Sequence, residues 1–146
     1  MPPRPRYNNK RKRKQTSKFK QGFYTPQNPD KFKESNNIMN SGTLPQYRSS
    51  WELKMYKWCD LNDDIEFWGT ESIAIPYISP KDNKPHRYFP DIFIQFKDGR
   101  KVIVEIKPKS QNNNPINLAK WEAADLYAKQ IGAEFIVMNE KHLGIK

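Results

Sequence analysis

The chain has 146 residues and carries 26 Lys or Arg against 16 Asp or Glu, a formal net charge of +10. This length suits one domain with a modest core. No apolar run approaches the ~18 residues of a membrane span, and the first residues lack the apolar stretch of a signal peptide, so we expect neither. A single cysteine, Cys59, excludes an internal disulfide framework, and two distant histidines make a zinc site improbable.

The positive charge is concentrated at the N-terminus. Residues 1–20 hold nine Lys or Arg and no acidic residue, so the rest of the chain is close to neutral. We interpret residues 1–22 as a flexible basic arm that binds DNA phosphates, with Arg11 and Arg13 among the contacts. A solubilising tail and a nuclear import signal are the alternative interpretations.

Residues 23–48 are interpreted as an extended strap followed by a polar linker, in which aromatic residues of the strap pack on the core or on a partner. A helix is predicted over residues 49–62, because Trp51, Met55, Trp58 and Cys59 recur at helical spacing. Ser49 followed three residues later by Glu52 fits a capping box at its start.

The rest of the chain is predicted to form several strands and one further helix. Residues 65–78 form one strand or two, with Pro76 at an edge or a bulge, and residues 79–85 form a turn. Residues 87–96 and 100–107 are predicted to form a hairpin. A helix over 115–132 precedes a last strand over 133–139, and its predicted packing face consists of Leu118, Trp121, Leu126 and Ile131 with the alanines between them.

The register of this hairpin decides which side chains share a face. A three-residue loop ending in Gly99 places Ile92, Ile94 and Phe96 on one apolar face with Val102, Val104 and Ile106. The opposite face then holds Asp91 across from Glu105, with Lys107 beside them. A two-residue turn is the alternative, but it brings Glu105 into the apolar layer. We therefore favour the three-residue loop.

Two carboxylates facing each other across a strand pair need a compensating charge. At ~5 Å and an effective dielectric near 20, their repulsion amounts to roughly 3–4 kcal/mol. Lys107 offsets part of this cost, and a divalent cation offsets it more fully. Carboxylate oxygens with room for water and phosphate suit Mg²⁺. The alternative is a cluster of cross-strand salt bridges on a solvated face.

The segments "FPD" and "VEIKPK" resemble the signature of the PD-(D/E)xK nuclease superfamily, and "HRYFPDIFI" resembles TnsA-like transposon endonucleases. A longer set of segments, from "YRSSWELKMYKWCD" through "VEIKPKSQ" to "AKWEAA", is similar to the head completion nucleases of T-even-type tailed phages. The resemblance implies an α/β fold over residues 49–146: a restriction-endonuclease-like αβββαβ core with a mixed central sheet.

The resemblance also implies roles for individual residues. Asp91 and Glu105 bind Mg²⁺, with Mn²⁺ as a substitute, together with the Ile106 carbonyl and Glu52. Lys107 orients the attacking water or stabilises charge on the phosphorus. Glu52 has a competing structural role in the capping box, a conflict that disappears if Ser50 is the cap instead.

Further residues are candidates for binding DNA. His86, Arg87 and Tyr88 lead into the Asp91 strand at the expected mouth of the cleft. Just past the catalytic strand stand Lys109 and Gln111, and Lys120 follows in the second predicted helix. For the first three the alternative is ordinary loop polarity, and Lys120 could equally face solvent.

Together these features predict a Mg²⁺-dependent DNA nuclease whose partner is double-stranded DNA. The resemblance implies, in addition, that it processes packaged DNA so that phage heads can be joined to tails, and that it docks on proteins of the portal or neck. The bacterial cytoplasm during assembly, and then the virion, is the expected location. Two alternatives are a structural DNA-binding plug with an inactive nuclease core and a cellular nuclease of the transposon or repair type.

Overall fold

The computed structural model describes residues 21–33 and 44–142. Two helices are present in this part of the chain, α1 (Ser50–Leu61) and α2 (Pro115–Gln130). The strands, in chain order, are β1 (Gly22–Phe23), β2 (Gln46–Tyr47), β3 (Ile65–Thr70), β4 (Ile75–Ser79), β5 (Lys84–Tyr88), β6 (Ile92–Phe96), β7 (Lys101–Ile106) and β8 (Glu134–Met138).

A four-stranded mixed sheet with the order β3-β6-β7-β8 forms the centre of the fold. Its first three strands are antiparallel, and β8 pairs parallel to β7. One face packs on α1, and α2 packs against the hairpin β4–β5 on the other side. This arrangement confirms the predicted mixed α/β fold, with β4–β5 inserted between the first two strands of the αβββαβ core.

The inserted hairpin corrects one predicted strand. Residues 87–96 were expected to be continuous, but β5 ends at Tyr88 and β6 begins at Ile92. Pro90 lies in the break and has no N–H to donate to a neighbouring strand, which explains why pairing is interrupted here. The residues before the break pair with β4 instead, in the register Ile75↔Tyr88.

The register of the β6–β7 hairpin agrees with the three-residue loop. Ile92 pairs with Val104, and the Phe96 N–H donates to the Arg100 carbonyl at 2.8 Å. Gly99 has φ +97°, a left-handed conformation that favours glycine. The alternative of a salt-bridge cluster on a solvated face is wrong, because Glu105 is only 5% exposed.

Helix α1 begins where the capping pattern indicates. The Ser49 hydroxyl accepts from the Glu52 N–H at 3.2 Å, so Ser49 and not Ser50 is the cap. Met55 and Cys59 are buried against the sheet, whereas Trp58 is 46% exposed and does not belong to the core.

Helix α2 packs through part of the predicted face, because Trp121 and Ala124 lie in one cluster with the hairpin β4–β5 whereas two of the predicted leucines do not. Leu118 and Leu126 are 50% and 58% exposed, so their assignment to the packing face is wrong. The buried residues are Asn117, Ala124 and Ala128, which lie on one helical stripe. Small alanine side chains allow the helix to lie close against its neighbours, which a leucine stripe does not.

The strap packs on the core. The Asp60 side chain is buried and accepts hydrogen bonds from the Tyr24 hydroxyl and the Gln27 and Asn28 N–H groups at 2.5, 2.7 and 2.9 Å. Further along, the Lys33 N–H donates to the Trp68 carbonyl at 2.8 Å. The strap is therefore fastened to the C-terminal end of α1 and to β3.

Candidate active site

Asp91 and Glu105 meet where β6 begins and β7 ends. The Asp91 Oδ2 accepts a hydrogen bond from the Ile106 N–H at 2.7 Å, which ties the loop before β6 to the end of β7. The Lys107 Nζ lies 3.8 Å from the Glu105 Oε2, and its side chain is 35% exposed. The structure thus brings two carboxylates and one accessible ammonium together, as the hairpin register predicts.

Burial and mutual repulsion set the charge state of this pair. The pKa of Asp91 is raised well above its usual value, first by burial and then by the negative charge of Glu105. Burial also raises the pKa of Glu105, although Tyr88, Lys107 and Lys120 act in the opposite direction. Keeping both groups ionised is therefore costly, and a nearby cation lowers that cost.

Tyr88 is a partner of Glu105 within the protein interior. Its hydroxyl donates to the Glu105 Oε1 at 2.7 Å, and the residue is only 4% exposed. The expectation for Tyr88 was contact with DNA phosphate at the mouth of the cleft, whereas the structure places its hydroxyl on a carboxylate. Burial, followed by the charge of Glu105, raises the pKa of Tyr88, so the phenol remains a neutral donor.

Lys120 faces the site. Its Nζ lies 5.6 Å from the centre of the Tyr88 ring and 5.9 Å from that of Tyr77. Its charge lowers the pKa of Glu105, which indicates that it is close enough to stabilise the ionised carboxylate. Of the two positions considered for Lys120, the structure favours the one near the carboxylates.

Glu52 is held by the start of its own helix. Its Oε1 accepts from the Arg48 N–H at 2.7 Å, one residue before the cap, so the side chain serves a variant of the capping box. Burial raises the pKa of Glu52. The conflict between capping and metal binding therefore remains, because Ser49 is the cap.

Sequence reasoning missed two charged residues beside Glu52. The Arg48 Nη1 lies 3.0 Å from the Glu71 Oε2, and Glu71 adopts φ +50°, which is uncommon for a residue with a side chain. Its N–H donates to the Asp91 carbonyl at 3.2 Å. No pattern in the sequence marks either residue, since their proximity depends on the turn after β3.

The remaining candidates have contacts of their own. His86 pairs with Asp82 at 2.9 Å, and Arg87 lies over the Phe89 ring. The Lys109 N–H donates to Glu140, and the Gln111 carbonyl accepts from Asn117. No hydrogen bond or ion pair among residues 21–33 and 44–142 joins these four candidates to the carboxylate pair, and Arg11 and Arg13 lie outside the described residues.

The side chains around Asp91 offer few ligands for a metal ion. No group of three or more His, Cys, Asp or Glu side chains in the described parts of the chain is close enough together to hold a metal ion. Mg²⁺ is, however, commonly bound through one or two carboxylates, with water and substrate phosphate completing its shell. Asp91 and Glu105, whose repulsion raises the pKa of Asp91, fit that mode without Glu52.

The residues described by the structure contain no helix with the length and apolar character needed to cross a membrane.

Comparison with known proteins agrees with the geometry. Residues 62–140 match the family model described as the TnsA-like endonuclease N terminal, a segment that contains Tyr88, Asp91, Glu105 and Lys107 but not Glu52. The chain is also 32% identical over 119 residues to the head completion nuclease of enterobacteria phage T4, covering 66% of this chain and 79% of that protein. The chain therefore belongs to the family of TnsA-like endonucleases.

Proposed function

We propose that the protein is a Mg²⁺-dependent nuclease that hydrolyses phosphodiester bonds in DNA. The observation that carries this proposal is the pair of half-buried Asp91 and buried Glu105, with the Lys107 ammonium 3.8 Å from Glu105. Membership in an endonuclease family supports the reaction class. The need of two adjoining carboxylates for a compensating charge supports the metal.

Each residue has a definite part in this reaction. Asp91 and Glu105 would hold Mg²⁺, with the Ile106 carbonyl as a further proposed ligand, whereas Glu52 stays engaged at the start of α1. When bound, the metal supplies charge neutralisation at the phosphodiester and lowers the pKa of a water molecule. Lys107 is partly exposed, so its ammonium can reach substrate and stabilise negative charge that develops on the phosphoryl oxygens. Lys120 helps to keep Glu105 ionised.

The biological role follows from the relative's name. We propose that the protein acts in phage head completion, where it processes packaged double-stranded DNA before the head joins the tail. The basic residues 1–20, including Arg11 and Arg13, would hold the DNA backbone with little base readout. Docking on the portal or neck would then determine where the enzyme cuts. Head, neck and tail genes beside this gene would support this role over that of a cellular transposon nuclease.

Nicking of a supercoiled plasmid tests the catalytic proposal. We expect wild-type protein to nick the plasmid with Mg²⁺ and to be inactive with EDTA. Asp91→Asn should reduce the rate by at least ~10²-fold, a loss typical of a catalytic carboxylate that binds metal. Asp63→Asn, the same change at an exposed site, should leave the rate unchanged. Wild-type protein that binds DNA but does not cut it with Mg²⁺ or Mn²⁺ would favour the structural plug.

A further inference from the structure

We propose that Tyr88 is a positioning residue that orients the Glu105 carboxylate for metal binding. This inference rests on the proposed function and deepens it, because it assigns a task to the hairpin β4–β5 that interrupts the core. Tyr88 itself would touch neither substrate nor metal. Its effect would be exerted through one oxygen of Glu105.

The hydrogen bond between Tyr88 and Glu105 makes the two carboxylate oxygens of Glu105 inequivalent. The Glu105 Oε1 is engaged by the Tyr88 hydroxyl at 2.7 Å, whereas Oε2 is the oxygen nearer to the Lys107 Nζ, at 3.8 Å. Both Tyr88 and Glu105 are buried, so little solvent competes for Oε1. The bond thereby fixes the rotation of the carboxylate and directs Oε2 toward the ammonium. Partners that orient metal ligands in this way commonly matter as much as the ligands themselves.

The position of the Tyr88 ring is set by its surroundings. Tyr88 pairs with Ile75 across the hairpin, and both pack in one buried cluster with Ala124 of α2. The Lys120 ammonium lies 5.6 Å from the centre of the Tyr88 ring, which adds a cation–π contact. Because both the ring and the backbone of Tyr88 are fixed by packing, its hydroxyl points toward Glu105 in one orientation. The inserted hairpin β4–β5 is the element that positions this hydroxyl.

The test compares Tyr88→Phe with Tyr77→Phe. The first change removes the hydroxyl on Glu105 and keeps the ring. The second removes a hydroxyl from the same hairpin, and its ring is also close to Lys120, at 5.9 Å. Titration calorimetry with Ca²⁺ alone measures metal affinity without turnover, and DNA binding in EDTA and circular dichroism report on the fold.

We expect Tyr88→Phe to weaken Ca²⁺ binding and to slow plasmid nicking with Mg²⁺ by roughly 10–100-fold each. Its DNA affinity in EDTA should equal that of wild type, and Tyr77→Phe should resemble wild type in every assay. Wild-type metal affinity in Tyr88→Phe would overturn the inference. Equal losses in both variants would also overturn it, because they would show a packing effect of the hairpin.

The failure of this inference can be distinguished from a failure of the proposed function. Glu105→Gln that still nicks DNA, or wild-type protein without Ca²⁺ or Mg²⁺ binding, would overturn the metal-dependent nuclease and the role of Tyr88 together. Inactive Glu105→Gln alongside fully active Tyr88→Phe would remove only the role of Tyr88.

Discussion

Replacing Asp91 by asparagine should stabilise the metal-free protein at alkaline pH while it removes catalysis. The substitution keeps an oxygen that can accept from the Ile106 N–H, and it removes one of two carboxylates whose charges repel. A site that improves in stability when a side chain is neutralised is one whose charge is retained for function.

The size of the effect follows from two opposing contributions. Removing the repulsion of Asp91 with Glu105 gains roughly 3 kcal/mol for charges ~5 Å apart at an effective dielectric near 20. Exchanging a charge-assisted hydrogen bond to Ile106 for a neutral one costs about 1 kcal/mol. We therefore expect Asp91→Asn to raise the free energy of unfolding by at least about 2 kcal/mol at pH 8, since the substitution also removes the cost of burying the Asp91 charge.

The pH dependence has a definite sign. The folded-state pKa of Asp91 lies above the usual 3.8, so the folded protein binds this proton more tightly than the unfolded chain does. The associated stability is fully present below that usual value and is lost as pH rises through the folded-state pKa. Between pH 3.8 and the folded-state pKa of Asp91, the free energy of unfolding of the wild-type protein falls by up to ~1.4 kcal/mol per pH unit through this group. Asp91→Asn shows no such fall.

Urea unfolding in EDTA from pH 4 to pH 8 measures this difference. The advantage of Asp91→Asn over wild type should grow with pH and disappear near pH 4. Asp63→Asn controls for replacement of an exposed carboxylate and should show no such trend. A variant that is less stable than wild type at pH 8, or a difference that does not vary with pH, would refute the argument that repulsion stores energy at this site.

Four further predictions concern the site, the arm and the strap. Glu105→Gln should abolish the rise in melting temperature that Mg²⁺ gives wild-type protein, whereas a retained rise would place the metal elsewhere. Deleting residues 1–20 should flatten the salt dependence of DNA binding without lowering the melting temperature, and an unchanged slope would refute the arm. Asp60→Asn should cost about 2–4 kcal/mol in urea unfolding at neutral pH, because it disrupts the charge-assisted hydrogen bonds to the strap; the lowered pKa of Asp60 places the loss of this stabilisation below pH 3.8. Gly69→Ala should cost at least ~1–3 kcal/mol and speed proteolysis of the strap, since the new Cβ would lie 2.2 Å from the Lys33 carbonyl oxygen; wild-type stability would show that the strap moves freely.

The register of the β6–β7 hairpin could be predicted because the alternation of apolar and polar residues along its two strands favours one register over the other. A slip by one residue would place Glu105 opposite Ile92 in the apolar layer, and no turn preference outweighs the cost of burying that charge. The pairing of Asp91 with Glu105, and therefore the candidate site, followed directly from that register. The αβββαβ order of the core was also accessible from the sequence, but the inserted hairpin β4–β5 was not, because β5 spans residues that had been assigned to a turn and to the following strand.

Other features depend on tertiary contacts that periodicity does not report. The predicted packing face of α2 included Leu118 and Leu126, but the alanines and Trp121 of that face lie against neighbouring elements whereas the two leucines are exposed. The contact of Tyr88 with Glu105 was missed because Tyr88 ends β5, which pairs with β4 and not with the central sheet, so strand alternation does not relate the two residues. The pair Arg48 and Glu71 meets only through the turn after β3, which no local pattern predicts.

The attachment of the strap to β3 affects how the protein can be shortened. β3 is an outer strand of the central sheet, and Phe32 bridges to Trp68 along it, so residues of the strap occupy hydrogen-bonding groups that would otherwise face solvent. Edge strands with unpaired backbone N–H and C=O groups tend to pair with strands of other chains. A fragment that begins at residue 49 would leave the edge of β3 exposed and tend to self-associate. A fragment that begins at residue 21 would keep this edge covered and would be better suited to crystallisation.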